Sequence, residues 1–418
     1  MKKRIKNIAF CTLIGAIAIS GMIGLSGCKK DHIHTFNSDP YYEVVVENDT
    51  QIARTWTVCA CGEESEHHIV DNAIIASANP EDDNYAQKVL DSDINGKTVV
   101  FAAGEYTELL EIRPSRTNYT KAYIYGSGQI EEVDPLYPIH NPETHTYGYE
   151  RDLTDVKFVG TKNTVFKNKL YIRSGPNGNE DRFFTTKYDA VLNRVCDSKV
   201  AYHAIINIDN ISFERLNFES QKAQIYMFLI NTNSTYDGIT IKNCKWNQPE
   251  NYVSDGIDDG AAIYITPGNP LHIKNFDIKN NYIDGYYQGI YVASCNNINI
   301  ENNVIKNTDH NAIALQTAYS AQNNTDYSIT GNVVIKNNTI QNTGDRAVRF
   351  GVVIDADITV ENNTFIDAKD SDNELLKTQV LINSSYNFTN NLIDGKLTST
   401  TPGENKDEIT TPWKITIN

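Results

Sequence analysis

Between residues 239 and 393 one short pattern keeps returning: alternating β-branched residues, a polar residue, a pair of asparagines, then a second short apolar run. It reads Ile239-Thr240-Ile241-Lys242-Asn243-Cys244-Lys245-Trp246, then Phe276-Asp277-Ile278-Lys279-Asn280-Asn281-Tyr282-Ile283 and Ile298-Asn299-Ile300-Glu301-Asn302-Asn303-Val304-Ile305. Three more copies follow at 333–340, 358–365 and, shortened, 388–393. Equivalent asparagines are separated by 22 (281 to 303), 35 (303 to 338), 25 (338 to 363) and 28 (363 to 391) residues. A constant motif at varying spacing describes a repeated core with loops of unequal length outside it. Several copies continue into a third strand: Ala262-Ile263-Tyr264-Ile265, Gly289-Ile290-Tyr291-Val292, Ala312-Ile313-Ala314-Leu315 and Ala347-Val348-Arg349-Phe350. A coil of three such strands cannot bury its Ile, Val and Phe side chains alone. Stacking coils about 4.8 Å apart lets each strand pair with its counterparts above and below.

The fold class expected is therefore all-β, a single-stranded right-handed parallel β-helix. Asn281, Asn303, Asn338, Asn363 and Asn391 fall at one corner, where their carboxamides can hydrogen-bond along the stack; Cys244 takes that place in an earlier coil. The regular Ile/Val alternation argues against the disorder that asparagine-rich composition otherwise suggests, and Leu-rich or Trp-Asp repeat signatures are absent. Earlier in the chain, Val99-Val100-Phe101-Ala102-Ala103-Gly104-Glu105-Tyr106 and Tyr123-Ile124-Tyr125-Gly126-Ser127-Gly128 resemble the first coils of pectate-lyase-like β-helices, with a hydrophobic strand, a Gly-x-Tyr turn and a later Gly-x-Gly. The expected organisation is 1–27 signal peptide, 28–92 linker with a small Cys/His segment, 93–395 β-helix of nine to eleven coils, and 396–418 capping tail. Residues 129–150 and 173–189 read as excursions, and 248–260 and 318–328 as shorter loops.

The basic start Met1-Lys2-Lys3-Arg4-Ile5-Lys6 precedes an apolar run from Ile8 to Leu25, ending Leu25-Ser26-Gly27-Cys28. Charge, apolar stretch and small exit residues are the physical marks of an export signal. The tetrapeptide resembles the bacterial lipobox, which implies cleavage before Cys28 and a lipid on its sulfur. The expected location is extracytoplasmic, anchored to the bilayer through Cys28. Removing Lys2, Lys3, Arg4 and Lys6 with the signal takes the net charge from −16 to −20, which disfavours nucleic acid as a partner. A polysaccharide is the expected partner and a monomer the expected state. The other cysteines (Cys11 in the signal, then Cys59, Cys61, Cys196, Cys244 and Cys295) are too few and scattered for a disulfide framework.

Residues 29–70 differ from the rest. They hold His32, His34, Trp56, Cys59, Cys61, His67 and His68. His34-Thr35-Phe36 with Cys59-Ala60-Cys61-Gly62 resembles short His-Thr-Phe/Cys-Gly modules of bacterial surface proteins. His32, His34, Cys59 and Cys61 are suitable zinc ligands, although structural zinc sites usually place two to four residues between paired cysteines. A Cys59–Cys61 pair, free thiols and a plain tether are the other readings.

Aligned third strands place chemistry on one outer side. The strand itself shows Tyr264, Tyr291, Ala314 and Arg349 outward. The preceding positions give Ala261, Gln288, Asn311 and Arg346; then Gly260, Tyr287, His310 and Asp345; then Asp259, Tyr286, Asp309 and Gly344. Tyr264, Tyr286, Tyr287, Gln288, Tyr291 and Asn311 are thus candidate sugar-binding residues. The pectate-lyase-like resemblance implies a lyase on an acidic, uronate-containing glycan. On that pattern Arg346 or Arg349 would be the base, and Asp255, Asp258 and Asp259 would hold calcium, which prefers hard oxygen ligands. No family catalytic signature surrounds either arginine, and a guanidinium rarely gives up its proton. Hydrolysis by Asp309 and Asp345, assisted by His310, is a second reading, since paired carboxylates on adjacent coils can span a glycosidic bond. A non-catalytic carbohydrate-binding adhesin is a third.

Overall fold

The computed structural model describes residues 34–114, 121–126, 129–133, 146–174, 203–220, 222–229, 235–248, 260–267, 273–316, 328–368, 375–398 and 403–405. Its body is a stack of three-stranded coils. The first face is built by strands such as Tyr236–Lys242, Ile273–Lys279 and Cys295–Glu301; the second by Lys245–Asn247, Tyr282–Asp284 and Val304–Thr308; the third by Ala261–Pro267, Gln288–Val292 and Ile313–Leu315. Each strand pairs in parallel with the equivalent strand of the next coil, as in Ile239↔Phe276, Phe276↔Ile298 and Ile298↔Val333. On the second face, among the described residues, the sheet has ten strands, the last of which, Lys396–Thr398, is antiparallel.

Two asparagines make each corner between the first and second faces, and they do different work. The first of each pair (Asn243, Asn280, Asn302, Asn337, Asn362 and Asn390) has φ between 54° and 57°, a left-handed conformation that asparagine tolerates better than most residues. The second points inward. Asn303 is 1 % exposed; its Nδ2 donates to Ile278 O at 2.9 Å and to Asn338 Oδ1 at 3.0 Å. Its own Oδ1 accepts from the Asn281 backbone N–H at 2.9 Å and from Asn281 Nδ2 at 3.0 Å. Asn338, Asn363 and Asn391 extend the same pattern. At the lower end, the Cys244 N–H donates to Asn281 Oδ1 at 2.9 Å, so the cysteine takes the expected place. One coil earlier the left-handed slot is held by Arg215, with φ 55°.

Inside, stacked apolar rows fill the space between the faces. Tyr106, Phe166, Phe218 and Trp246 stack at 5.0–5.1 Å between ring centroids, and Ile283, Ile305, Ile340 and Phe365 carry the row on, each fully buried. The helix Ala86–Leu90 buries Ala86, Val89 and Leu90 beside the first coils. The strand Ala73–Ala76 already pairs in parallel with Thr98–Phe101, so stacking starts ahead of residue 93. At the other end Lys396–Thr398 runs antiparallel to Asn391–Ile393, and Gly403–Asn405 antiparallel to Ser384–Tyr386. Reversed strands occupy edges that would otherwise invite another chain.

The segment before the stack is an antiparallel sheet of Tyr41–Glu47, Thr50–Trp56 and His68–Ile69, not a plain tether. Tyr42 and Ala53 pack on Val100 and Val159 of the first face. Arg215 clamps this small sheet to the body: its guanidinium lies 3.5 Å from the Tyr41 ring centroid and donates to Pro40 O and Asp39 O at 2.5 and 3.1 Å. Lys242 Nζ pairs with Asp39 Oδ1 at 3.1 Å. Among the described residues, no helix is long and apolar enough to cross a membrane.

Candidate functional site

On the third face the register lines up one outward position through eight coils. The row runs Glu111, Tyr171, Tyr226, Tyr264, Tyr291, Ala314, Arg349, Lys377. Four adjacent tyrosines follow from strand alternation, which sends every second side chain outward. Tyr226, Tyr264 and Tyr291 stack at 4.7 Å with interplanar angles of 11° and 7°, and Tyr171 meets Tyr226 edge to face at 4.9 Å. Tyr291 is buried, whereas Tyr226 and Tyr264 are half-buried. Lys169 Nζ lies 4.7 Å from the centroid of Tyr226. The row thus begins at an acid, passes over aromatic rings, and ends at two cations.

Beside it, where the second face turns into the third, lies a polar cluster. Backbone bonds from His310 N to Tyr287 O at 2.8 Å, and from Asp345 N to His310 O at 3.4 Å, set these three residues one above another. The rings of Tyr287 and His310 stack at 5.2 Å. His310 Nε2 sits 3.4 Å from Asp345 Oδ2, and Asp345 Oδ1 accepts from Arg346 at 2.7 Å. Asn311 Nδ2 lies 2.6 Å from His310 Nδ1, close enough to fix the ring's orientation. Burial pushes the His310 pKa down, Asp345 opposes this, and Arg349 and Arg346 add to the lowering. On balance these influences favour the neutral imidazole. Burial also raises the Tyr291 hydroxyl well above the usual phenol range, with Tyr264 adding to the rise and Arg349 opposing it. Arg349 thus acts electrostatically on both the ladder and the imidazole.

Two glycines let the coils close here. A side chain at Gly260 would collide with Tyr287, and one at Gly344 with the Asp309 carbonyl. The sequence alignment of the coils holds, but two of the candidate sugar-binding residues, Tyr286 and Asn311, are fully enclosed. Tyr286 is fully buried and its hydroxyl donates to Ser220 O and Ala223 O, each at 2.9 Å. Asn311 is also fully buried. Strand alternation breaks at a corner, so position parity misassigns residues there. Arg346 is 8 % exposed and its guanidinium donates to Asp345. Asp309 is exposed one position before His310, aligned with Tyr286 and Gly344. Gln288 is half-buried beside Ala261. The calcium candidates Asp255, Asp258 and Asp259 lie outside the described residues, as do His32 and Cys28. Tyr171 and Tyr226 were missed by the sequence reading, although Ile225-Tyr226 repeats Ile263-Tyr264 and Ile290-Tyr291.

In the N-terminal sheet Cys59 and Cys61 form a disulfide. His34 Nδ1 lies 3.5 Å from Cys59 Sγ and 3.3 Å from Cys61 Sγ. Together they form a group of metal-ligating side chains, and two thiolates with an imidazole suit zinc once the sulfurs are reduced.

The family described as right handed beta helix region matches residues 193–329. No curated protein matches the chain. Among solved structures, a hyperthermoactive exopolygalacturonase from Thermotoga maritima is 12 % identical over 82 % of this chain and 96 % of its own, with a TM-score of 0.31, a likeness too slight to carry residues or activity across. From the stacked register and the family match, the body of this chain is a right-handed parallel β-helix.

Proposed function

We propose that this β-helix is exported, lipid-anchored at Cys28, and acts on an acidic polysaccharide laid along its third face. The observation that carries this reading is the tyrosine row running into Arg349 and Lys377 beside the His310–Asp345–Arg346 cluster. The stacked rings cover one another's faces and present a ladder of edges and hydroxyls, one per coil, that suits hydrogen bonds to successive sugars, and cations at one end suit uronate carboxylates. A flexible binding patch would not need a neutral, oriented histidine between an acid and two arginines.

Two cleavage chemistries fit the residues. In hydrolysis, Asp345 and Asp309 would supply the carboxylate pair, with Asp345 held by Arg346 in the role of base or nucleophile and exposed Asp309 as acid. In β-elimination, neutral His310 would take the C5 proton and the C4–O bond would break as the C4–C5 double bond forms, with water protonating the leaving oxygen and Arg349 offsetting the charge building on the uronate. Arg346 and Arg349 thus change from the expected base to electrostatic support. Asp255, Asp258 and Asp259 remain the residues proposed for calcium. The test is incubation with uronate-containing and neutral polysaccharides, with and without chelator. Absorbance near ~235 nm reports elimination and new reducing ends report hydrolysis; general acid–base catalysis of either kind contributes about 10²–10⁴-fold. Binding without product in either channel would leave a carbohydrate-binding adhesin.

For the anchor, Cys28→Ser is expected to abolish acylation and, because cleavage follows acylation of that sulfur, to leave the uncut precursor, seen as loss of lipid labelling and a mass that retains residues 1–27. For the small sheet, zinc is proposed at His34, Cys59 and Cys61, with His32 as fourth ligand. The reduced protein should then bind zinc at one equivalent, and none should be retained by Cys59→Ser.

A further inference from the structure

The Cys59–Cys61 bond is poorly placed to act as a staple. A disulfide stabilises a fold more the longer the loop it closes, and only Ala60 lies between these two cysteines. The turn around it is held by other means. The Cys59 N–H donates to Glu63 O and the Gly62 N–H to Cys59 O, both at 2.9 Å, and the Ser65 N–H donates to Thr57 O at 2.8 Å. Cys59 also bridges to Phe36, and Val58 to Glu64, in antiparallel fashion. The sheet as a whole rests on its strand pairings and on the Arg215 and Lys242 contacts described above. Opening the S–S bond breaks none of these.

The two sulfurs are not equivalent. Cys61 is exposed, whereas Cys59 is only 5 % exposed. An external sulfur therefore reaches Cys61, and Cys59 becomes the leaving group. His34 stands beside both, with Nδ1 at 3.5 Å from Cys59 Sγ and 3.3 Å from Cys61 Sγ, and its ring stacks on Phe36 at 6.0 Å. A donor at that place stabilises the departing thiolate, and the stability of the leaving sulfur helps to set the rate of exchange. The free cysteines among the described residues do not compete. Cys244 and Cys295 are buried in the stack, and burial pushes both thiols up to about 12, so neither offers a thiolate at neutral pH.

We infer that the N-terminal sheet carries a thiol–disulfide exchange centre, in which Cys61 is attacked, Cys59 leaves and His34 assists, with a dithiol as the co-reactant. One thiolate of the dithiol bonds to Cys61 Sγ as the Cys59–Cys61 bond breaks. The electron pair passes to Cys59 Sγ, which accepts a hydrogen bond from His34 and takes a proton from solvent. The second thiol of the reductant loses its proton to solvent and attacks its own partner sulfur in the mixed disulfide. Cys61 is released as a thiolate and is protonated in turn. Two electrons and two protons have passed from the dithiol to the cysteine pair, and the dithiol has become a disulfide. The step needs no metal, so it stands apart from the zinc reading, which requires the reduced pair.

The test is reduction of the full mature protein by dithiothreitol in the presence of EDTA. Samples are quenched with iodoacetamide, and the peptide holding residues 59 and 61 is followed by mass. The pair is expected to reduce in the folded protein, with amide hydrogen exchange across strands 41–47 and 50–56 the same before and after. With the monothiol mercaptoethanol, the trapped adduct should lie on Cys61. His34→Ala should slow reduction roughly tenfold, as loss of a hydrogen bond to a charged group does, and His34→Gln, which keeps a side-chain N–H, should restore part of the rate. Single cysteine variants separate the two sulfurs without the bond: iodoacetamide should modify Cys61 in Cys59→Ser at least about tenfold faster than Cys59 in Cys61→Ser. The inference is overturned if the bond yields only after unfolding in urea, if the monothiol is found on Cys59, or if His34→Ala reduces at the unaltered rate. It is also overturned if reduction opens the two strands to exchange, which would make the bond a structural one. Failure of the reduced protein to take up zinc once EDTA is removed would count against the zinc reading alone.

Discussion

His310→Ala is expected to reduce turnover of an acidic glycan by about 10²–10⁴-fold, the range typical for removal of a positioned general base. On the proposed reading the effect falls mainly on kcat, because the glycan would be held along Tyr171, Tyr226, Tyr264 and Tyr291 while the imidazole would act at a single bond. The pH profile gives the sharper check. Burial, Arg349 and Arg346 hold the His310 pKa below its ordinary 6.5, so activity should be flat through neutrality and decline only on the acid side of that value. Arg349→Ala removes one cause of the lowering, and the acid limb should then move to higher pH as well as losing rate. An acid limb that stays in place in Arg349→Ala, or full turnover by His310→Ala, would remove the histidine from the chemistry and return attention to Asp309 and Asp345.

Asn338→Ala should be among the most destabilising single changes in the stack. Its carboxamide donates to Ile300 O at 2.8 Å and to Asn363 Oδ1 at 3.0 Å, and accepts from the Asn303 backbone N–H at 2.9 Å and from Asn303 Nδ2 at 3.0 Å. Alanine strands several of these groups away from water, at about 1–3 kcal/mol for each group left unpaired. A loss of about 3–5 kcal/mol is expected from urea unfolding, within the range reserved for broken buried networks. Asn342 is the internal comparison. It too bonds along the stack, with Nδ2 donating to Asn307 Oδ1 at 2.8 Å, but at an exposed corner. There water replaces the lost partner, and because Asn342 has φ 52°, where alanine is disfavoured, the matched change is Asn342→Gly, which should cost less than about 1 kcal/mol. Equal effects at both positions would mean that burial is not what gives the inner ladder its weight.

The contrast between these two asparagines also marks what could be read from the chain. The inner ladder was legible because its register repeats with every copy of the motif, and hydrogen-bonding side chains at a shared corner have few other uses. Tyr264, Tyr291, Ala314 and Arg349 were likewise placed in one row by alternation alone. Tyr286 and Asn311 were not, because the chain bends between faces and parity loses its meaning over those residues. Tyr171 and Tyr226 were obscured by the irregular spacing of the earlier coils, even though the Ile-Tyr pair marks Tyr226 as part of the series. Arg215 was beyond reach altogether. It occupies an asparagine slot, and its partners Asp39 and Pro40 stand 176 and 175 positions away, a contact that no local pattern announces.

The reversed strands Lys396–Thr398 and Gly403–Asn405 have a consequence for how such a molecule can grow. With chain running against the stack at that end, an extra turn cannot simply be appended there. It has to be inserted from within, between coils that already match. Duplicating the unit that carries Tyr264 or Tyr291 would lengthen the aromatic track by one step of about 4.8 Å while leaving the terminal strands as they are. The length of the tyrosine row and the terminal closure are thereby independent quantities, and variation can change the first without disturbing the second.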